Sequence, residues 1–375
     1  MKGRLTALGV LTLAAVAAAL AYQAVARQRD YRLLIARGDS ALREDQTFAA
    51  IEAYSGALAL RPGSMLPHLR LGETYHRRGN LDEAAREFRL ASSLDPTTAR
   101  PLEELGDVTY QRQRYARAIE AYGRALRLDD RSARVFYKLA LAQYRDADPA
   151  SALQSVRQSL TLDPRSADAS YLLGLCLRDS RQITGAIRAF QQAVSIAPAL
   201  VAAREELADL FHGLNRFDEE IEQLQALAAI DGNVAERQIA LGLAQHRAGQ
   251  SDLAVQTLGS ALDRWPDTPG VYRALGRVWL DRAQEDPAFL SKAREALSAV
   301  AKNPAASSDT LTMYAQTLVE EGDVEGAART LDQAMERFPI ALDAFALYVA
   351  VAERLNRSDA AERAQTRYEL LKSEF

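Results

Sequence analysis

The residues best suited to chemistry are few in this chain and lie far apart. They are His68, His76, His212, His246 and the single cysteine, Cys176. His212 and His246 are 34 residues apart, and on two neighbouring helices their rings would stand roughly 10 Å apart. That separation is too wide for a shared metal ion, so we predict no metal site. A lone cysteine cannot form an intramolecular disulfide, and its two leucine neighbours predict a small core residue.

Catalytic motifs are also missing from the sequence. It contains no Gly-rich phosphate loop, no G-x-S-x-G and no H-E-x-x-H. Acidic runs such as 218–220 and 320–321 stand near expected turns and helix starts, where solvation and the helix dipole explain them. A net charge of −4 and a pI near 5.8 argue against nucleic-acid binding, which needs a basic stripe. We therefore expect a protein that is not an enzyme and needs no cofactor.

Small residues recur with a fixed period, and the period predicts the helices. Glycines stand at Gly38, Gly72, Gly106, Gly174, Gly242 and Gly276, separated by 34 residues or by twice 34. Alanines such as Ala84 keep the same period and precede a large side chain, here Phe88, by four residues. A glycine inside a helix costs about 1 kcal/mol relative to alanine, so its recurrence needs a packing reason. We infer that two helices cross closely at each glycine, as in a helical solenoid.

The clearest copy of the repeated unit runs from Met65 to Thr98, as two short amphipathic helices joined by a turn at 78–80. The residues that define its pattern are Leu71, Gly72, Tyr75, Gly79, Ala84, Phe88, Ala91 and Pro96. This pattern of L-G-x-x-Y, A-x-x-x-F-x-x-A and a closing proline resembles the tetratricopeptide repeat (TPR). Ten such units cover essentially everything after residue 30. They are expected near 31–64, 65–98, 99–132, 133–166, 167–200, 201–234, 235–268, 269–307, 308–341 and 342–375.

The resemblance implies an all-α fold, a right-handed TPR superhelical solenoid of about ten helix-turn-helix repeats behind an N-terminal transmembrane or signal segment. We expect this segment at 1–26 and the solenoid at 27–375. The eighth unit carries an insertion of about five residues around 281–292, which lengthens either its first helix or its turn. The last helix, expected over 358–373, has a polar outer face of the kind that closes a repeat array.

The N-terminal segment is expected to meet a membrane. Two basic residues precede 22 uncharged ones, residues 5–26, which are long enough to span the apolar core of a bilayer. The A-x-A sequence at 24–26 fits cleavage as a signal peptide, whereas the arginines within 27–32 favour retention. We predict an uncleaved inner-membrane anchor with the repeats on the periplasmic side. A cleaved periplasmic or secreted form is the alternative, and a cytoplasm-facing solenoid stays open.

In the TPR family the first helices line a concave groove that binds protein or peptide segments, and the resemblance implies the same here. The candidate groove residues are His76, Arg77, Tyr110, Arg134, Tyr137, Tyr144, Arg145, Tyr171 and Arg178. Tyrosine and arginine dominate binding hot spots. The plainer interpretation is that some of these tyrosines only pack between repeats, and Tyr137 and Tyr171 are the better groove candidates. The family's carboxylate clamp for chaperone tails needs asparagine at set places where this chain has none.

These observations predict a non-enzymatic scaffold that holds a protein or peptide segment in its groove and assembles a cell-envelope complex. A second hypothesis makes the chain a substrate-recruiting or regulatory subunit of an enzyme, for example of glycosyltransferase type, whose catalytic domain is on another chain. A soluble periplasmic chaperone, released by signal cleavage, is the third.

Overall fold

The computed structural model of the protein describes residues 2–374, with side chains at residue 13 and from residue 15 to residue 373. Over this part of the chain the backbone forms twenty α-helices, one 3₁₀-helix and no strand. The predicted all-α class is therefore confirmed. The helices group into two compact units, one up to Pro198 and the other from Ala199 onward.

The first unit contains ten helices, each packed against the next along the chain. They are α1 (Lys2–Arg43), α2 (Thr47–Leu60), α3 (Met65–Arg77), α4 (Leu81–Leu94), α5 (Arg100–Gln111), α6 (Tyr115–Leu128), α7 (Ala133–Arg145), α8 (Pro149–Leu162), α9 (Ala167–Asp179) and α10 (Ile183–Ile196). Local signals set these bounds. Ser132 caps α7 by accepting a hydrogen bond from the Val135 amide, and Pro96 follows the end of α4, where it prevents further helix.

The second unit repeats the same pairing and contains the insertion. Its helices are α11 (Val201–Gly213), α12 (Phe217–Ile230), α13 (Ala235–Arg247), α14 (Ser251–Arg264), α15 (Pro269–Arg282), α16 (Leu290–Ala301), α17 (Ser308–Glu320), α18 (Val324–Met335), α19 (Leu342–Arg354) and α20 (Ser358–Glu374). The first helix of the eighth pair ends at Arg282, and the 3₁₀-helix Pro287–Phe289 lies in the connection to α16. The inserted residues therefore lengthen the turn, which decides between the two alternatives that the sequence left open.

The recurring glycines mark the points where the two helices of a pair cross. Gly72 on α3 lies against the buried ring of Phe88 on α4, and a Cβ atom at Gly72 would stand 2.5 Å from that ring. The same relationship joins Gly38 to Tyr54, Gly106 to Tyr122, Gly174 to Phe190, Gly242 to Leu258 and Gly276 to Leu297. The close helix crossing inferred from the period of 34 residues is confirmed.

In nine of the ten helix pairs that the structure describes, all but the eighth, one residue of the turn takes the left-handed backbone conformation. Gly79 does so with φ of 77°. Non-glycine residues take the same conformation elsewhere, with φ between 56° and 60°, at Asp45, Gln113, Ala147, Arg181, Asn215 and Asn356. A side chain with a Cβ atom makes this conformation costly, by roughly 1–2 kcal/mol for most residues. The solenoid therefore holds strained turns where glycine is replaced by a residue such as Ala147.

The helices α20 and α1 bear on two of the predictions. Helix α20 buries Ala361 and Ala364 and exposes Glu362 and Arg363, so it has the polar outer face that its sequence predicts. At the N-terminal end, α1 runs without a break from Lys2 to Arg43.

The expected membrane segment falls on this first helix. Its described side chains Leu13, Val16 and Leu20 are more than half exposed, whereas the side chains of residues 5–12 and 14 lie outside the described part of the chain. Among the residues that the structure describes, none of the helices combines the length and apolar character that crossing a membrane would require.

Candidate functional site

The predicted binding residues lie mainly on α5, α7 and α9, three successive first helices that contact one another in order. Residues at i, i+4 and i+7 share one side of a helix. We call the following set the first-helix face: Glu103, Asp107 and Tyr110 on α5, Tyr137, Leu141 and Tyr144 on α7, and Tyr171, Leu175 and Arg178 on α9. Its chemistry changes along the row, from acidic on α5 to aromatic and aliphatic on α7 and α9.

The carboxylates of α5 are paired with cations from the next first helix. Lys138 on α7 donates hydrogen bonds to Glu103 Oε1 at 2.7 Å and to Asp107 Oδ2 at 2.6 Å. Arg134 Nη2 lies 2.8 Å from Glu103 Oε2. Burial disfavours the charged Lys138 ammonium, but its hydrogen bonds to Asp107 and Glu103 prevail and raise the pKa of Lys138 above the ordinary value. The acidic part of the face is thus locally neutralised.

The same alternation of charge extends back to α1. Arg70 on α3 lies 3.3 Å from Asp39 on α1 and 2.8 Å from Glu73 on its own helix. Arg100 on α5 reaches Glu73 at 2.5 Å. Acid and base therefore alternate from α1 to α7, and each contact between neighbouring first helices carries at least one ion pair.

Tyrosine hydroxyls from the second helices donate hydrogen bonds to two of these carboxylates. Tyr122 on α6 donates to Asp107 Oδ1 at 2.7 Å, and Tyr54 on α2 donates to Asp39 Oδ1 at 2.8 Å. Both rings are fully buried. Burial, together with the nearby carboxylate, raises the pKa of both tyrosines, so each hydroxyl keeps its proton and can donate.

The aromatic part of the face borders a buried cluster that includes Ala140, Val156 and Leu172. Tyr137 and Leu141 pack at the edge of this cluster and stay partly exposed. Burial raises the pKa of Tyr137. Large side chains in this part of the face are therefore packed against the core on one side and accessible to solvent on the other.

Tyr171 has a structural contact as well. Its ring centroid lies 5.7 Å from that of Phe190 on α10, with the ring planes tilted by 47°. Because Phe190 is the residue that fills the crossing at Gly174, Tyr171 supports the core of its own repeat as well as the face.

Other predicted contact residues connect neighbouring repeats at the ends of their first helices. Tyr144 Oη donates to Asp179 Oδ2 at 2.8 Å, and burial followed by this hydrogen bond raises the pKa of Tyr144 to about 12. His76 Nε2 lies 2.9 Å from Gln111 Oε1. Each contact spans 35 residues, one repeat and one position. Tyr144 and His76 therefore link successive first helices in this structure.

The remaining candidates divide by exposure. Arg77, Arg134 and Arg145 are exposed, whereas Tyr110 and Arg178 are partly buried. Arg77 Nη1 donates to the Leu42 carbonyl at 2.8 Å, which ties α3 to α1. The Tyr110 ring lies 5.4 Å from that of Tyr115 at the start of α6.

The histidines have local hydrogen-bond partners, and the cysteine is buried. His246 lies 2.9 Å from both Ser251 Oγ and Asp281 Oδ2, and His68 lies 2.7 Å from Glu87. Within the described residues, no group of three or more His, Cys, Asp or Glu side chains is arranged to hold a metal ion. Cys176 is fully buried, as expected, and burial followed by the charge of Asp179 raises its pKa to about 11.

Sequence reasoning missed the bridging cations Arg70, Arg100 and Lys138. Their signal was present as opposite charges placed about one repeat apart, for example Glu103 with Lys138, 35 residues later. The spacings of these pairs range from 27 to 35 residues, so the repeat period alone does not identify the partners.

Comparisons with known proteins agree on the repeat. A family model described as tetratricopeptide repeat matches residues 35–99, 137–201, 178–235 and 239–306, together more than half of the chain, and a model described as TPR repeat matches residues 106–146. No curated protein matches the chain.

Several solved structures are similar. MamA shows 24% identity over 45% of this chain and 92% of its own, with a TM-score of 0.43. The pilF protein of Pseudomonas aeruginosa shows 22% identity over 55% of this chain and 94% of its own, with a TM-score of 0.45. A tetratricopeptide repeat protein from Parabacteroides merdae shows 16% identity over 66% of this chain and 97% of its own, with a TM-score of 0.48.

Proposed function

The chain belongs to the tetratricopeptide repeat family, and from this premise we propose that it is a non-enzymatic scaffold that binds a protein segment on its first-helix face. The observation that carries the proposal is the group Tyr137, Leu141, Tyr171 and Leu175, in which four large side chains stand partly exposed on two adjacent first helices. Tyrosine rings that are already partly packed lose little entropy when a partner covers them, and tyrosine is enriched among the residues that supply most of the energy at interfaces. Leu141 and Leu175 add apolar contact area.

The surroundings of this group favour an extended segment with apolar side chains and flanking acids. Arg145 is exposed on the same helix as Tyr137, so its guanidinium group can pair with a carboxylate of a partner. The acidic residues of α5 are already neutralised by Lys138 and Arg134. Charge therefore steers and orients the partner, while the apolar group provides the affinity.

The scaffold has no catalytic activity of its own in this proposal. One observation supports it: the single cysteine, Cys176, is fully buried with a raised pKa, so almost none of it is thiolate at neutral pH. Turnover of any substrate by the purified chain alone would overturn this part of the proposal.

We further propose that the N-terminal segment holds the scaffold at the inner membrane, with the repeats on the periplasmic side as part of an envelope complex. The support is the uncharged run at 5–26 and the unbroken helix α1, which joins that run directly to the first repeat. Protease added to spheroplasts should cut the repeats. Protection of the repeats until the membrane is lysed would instead make the protein a cytoplasmic adaptor.

Site-specific photo-crosslinking tests the binding face. A photoreactive amino acid is placed at Leu141 or Leu175 on the face, and at the exposed Gln158 on α8 as a matched control. The two face positions should capture the same protein in intact cells, and Tyr137→Ala should lower the yield at both. Equal capture from Gln158, or different proteins from the two face positions, would contradict the proposal.

A further inference from the structure

An arginine-lined cleft lies on α5 away from the first-helix face. It has a volume of about 350 Å³ and is formed by residues of α4, α5 and α6. Leu105 and Thr109 line it from α5. On a helix of 3.6 residues per turn, both residues project to nearly the opposite side from Asp107. The cleft is therefore a separate surface from the first-helix face.

The floor of the cleft is apolar and closed. Leu105, Thr109 and Ala121 are 7%, 4% and 3% exposed. The Thr109 hydroxyl donates to the carbonyls of Leu105 and Gly106, so its proton is already used within α5. A low-dielectric floor of this kind strengthens the electrostatic effect of charges placed above it.

Four guanidinium groups surround this floor. They belong to Arg89 on α4, Arg112 just after α5, and Arg117 and Arg124 on α6. Arg117 and Arg124 are seven residues apart and therefore share one side of α6. Arg112 is held in place by an ion pair with Asp82 and is only 16% exposed, whereas the other three are exposed.

The charges of the cleft do not balance. Glu120 lines it beside the four arginines, and Asp82 pairs with Arg112 from α4. Four positive charges therefore meet two negative ones, which leaves an excess of two. This differs from the first-helix face, where Lys138 and Arg134 each lie within bonding distance of a carboxylate.

We propose that this cleft binds a phosphate group. A phosphate monoester carries nearly two negative charges and three acceptor oxygens at neutral pH, which matches the excess charge of the cleft. Arginine forks bind such an anion through paired, charge-assisted hydrogen bonds. A single carboxylate would neutralise only half of the excess and offers only two oxygens. The phosphate comes either from a phosphorylated side chain of a partner or from a small phosphorylated compound.

Isothermal titration calorimetry of the full chain tests the site with two probes, inorganic pyrophosphate and a phosphoserine peptide. The double variant Arg117→Gln with Arg124→Gln should weaken binding of the bound probe by about tenfold or more, since it removes two charge-assisted contacts. The matched control is Arg157→Gln with Arg188→Gln, which removes two exposed arginines from α8 and α10. It should change the affinity by no more than about twofold, because distant surface charges are screened.

The double variant Arg117→Lys with Arg124→Lys keeps the two positive charges but removes the paired donors of the guanidinium groups. Its loss of affinity should lie between those of the glutamine variant and the control. Thermal melts of each variant confirm that the chain is folded. Tighter binding of the peptide identifies a phosphorylated partner, and tighter binding of pyrophosphate identifies a small compound. Equal losses in the test and control variants, no saturable binding of either probe, or equal binding of the unphosphorylated peptide would overturn the assignment.

Discussion

The Tyr122 hydroxyl donates a 2.7 Å hydrogen bond to Asp107, which joins the second helix of the third repeat to the first-helix face. Tyr54 and Asp39 repeat the arrangement at 2.8 Å in the first repeat. Phenylalanine takes the place of this tyrosine at Phe88 and Phe190, where the corresponding first-helix residues are Glu73 and Leu175. Glu73 instead accepts hydrogen bonds from Arg70 and Arg100. A buried tyrosine is therefore one of two ways in which this chain holds a first-helix carboxylate.

Tyr122→Phe should lower the free energy of unfolding by about 1–3 kcal/mol. The substitution removes the buried hydroxyl that donates a hydrogen bond to the charged Asp107 carboxylate. Urea denaturation followed by circular dichroism measures the change. Tyr115→Phe, on the same helix, is the control for loss of a hydroxyl from a less buried ring. If both variants unfold at the same urea concentration, the link between Tyr122 and Asp107 is not stabilising.

Two glycine substitutions should have opposite effects. Gly72→Ala should destabilise the chain by about 1–3 kcal/mol, since the new methyl group meets the buried Phe88 ring. Gly123→Ala, also within a helix, meets only the far end of Arg127 at 4.0 Å, and should stabilise the chain by up to about 1 kcal/mol through helix propensity. Urea unfolding midpoints measure both changes. A midpoint that rises for Gly72→Ala as well as for Gly123→Ala would show that the crossing has room for a side chain.

Glu104 predicts a pH dependence of stability. Burial, followed by the charges of Asp107 and Glu73, raises the pKa of Glu104, so folding favours its protonated form. Its ionisation weakens the native state once the pH rises through the raised pKa. Glu104→Gln should therefore raise the melting temperature at neutral pH, with the advantage fading as the pH falls below the ordinary glutamate range. The exposed Glu52→Gln is the control, and a pH-independent advantage would argue against ionisation as the cause.

The strained turn at Ala147 offers a stabilising substitution. Its φ of 60° lies in the left-handed region, where glycine avoids a steric cost of roughly 1–2 kcal/mol that is partly offset by glycine's greater entropy when unfolded. Ala147→Gly should thus raise the free energy of unfolding by a few tenths to about 1 kcal/mol. Ala116→Gly, at an exposed position in α6, should lower it by about 0.5–1 kcal/mol. Thermal denaturation compares the two, and a loss at Ala147 would mean that its turn is not strained.

The sequence predicted the all-α class and the helix crossings because both depend on backbone periodicity and residue size. The absence of a side chain at Gly72 lets the Phe88 ring approach the backbone of α3, which determines where the two helices cross. The predicted face was less complete. Tyr144 is hydrogen-bonded to Asp179, and Tyr171 packs on Phe190. A half-buried aromatic ring can contact a neighbouring helix and still expose one edge to solvent, so the sequence alone does not separate the two roles.

The charge pairing was not predicted for a different reason. Lys138 bridges Glu103 and Asp107 from the next repeat, and such long side chains choose partners by distances that a repeat period does not specify. The insertion in the eighth repeat was also not placed by the repeat period, because extra residues near Arg282 fit either a longer helix or a longer turn. The end of α15 at Arg282 shows that the turn is longer.

The most direct test of the scaffold function is the affinity of the partner segment captured at Leu141, measured by calorimetry for the native chain and for Tyr137→Ala. We predict a loss of about tenfold or more, the scale of an aromatic hot spot, with unchanged helicity by circular dichroism. The same affinity in both chains, with the fold intact, would contradict binding on the first-helix face.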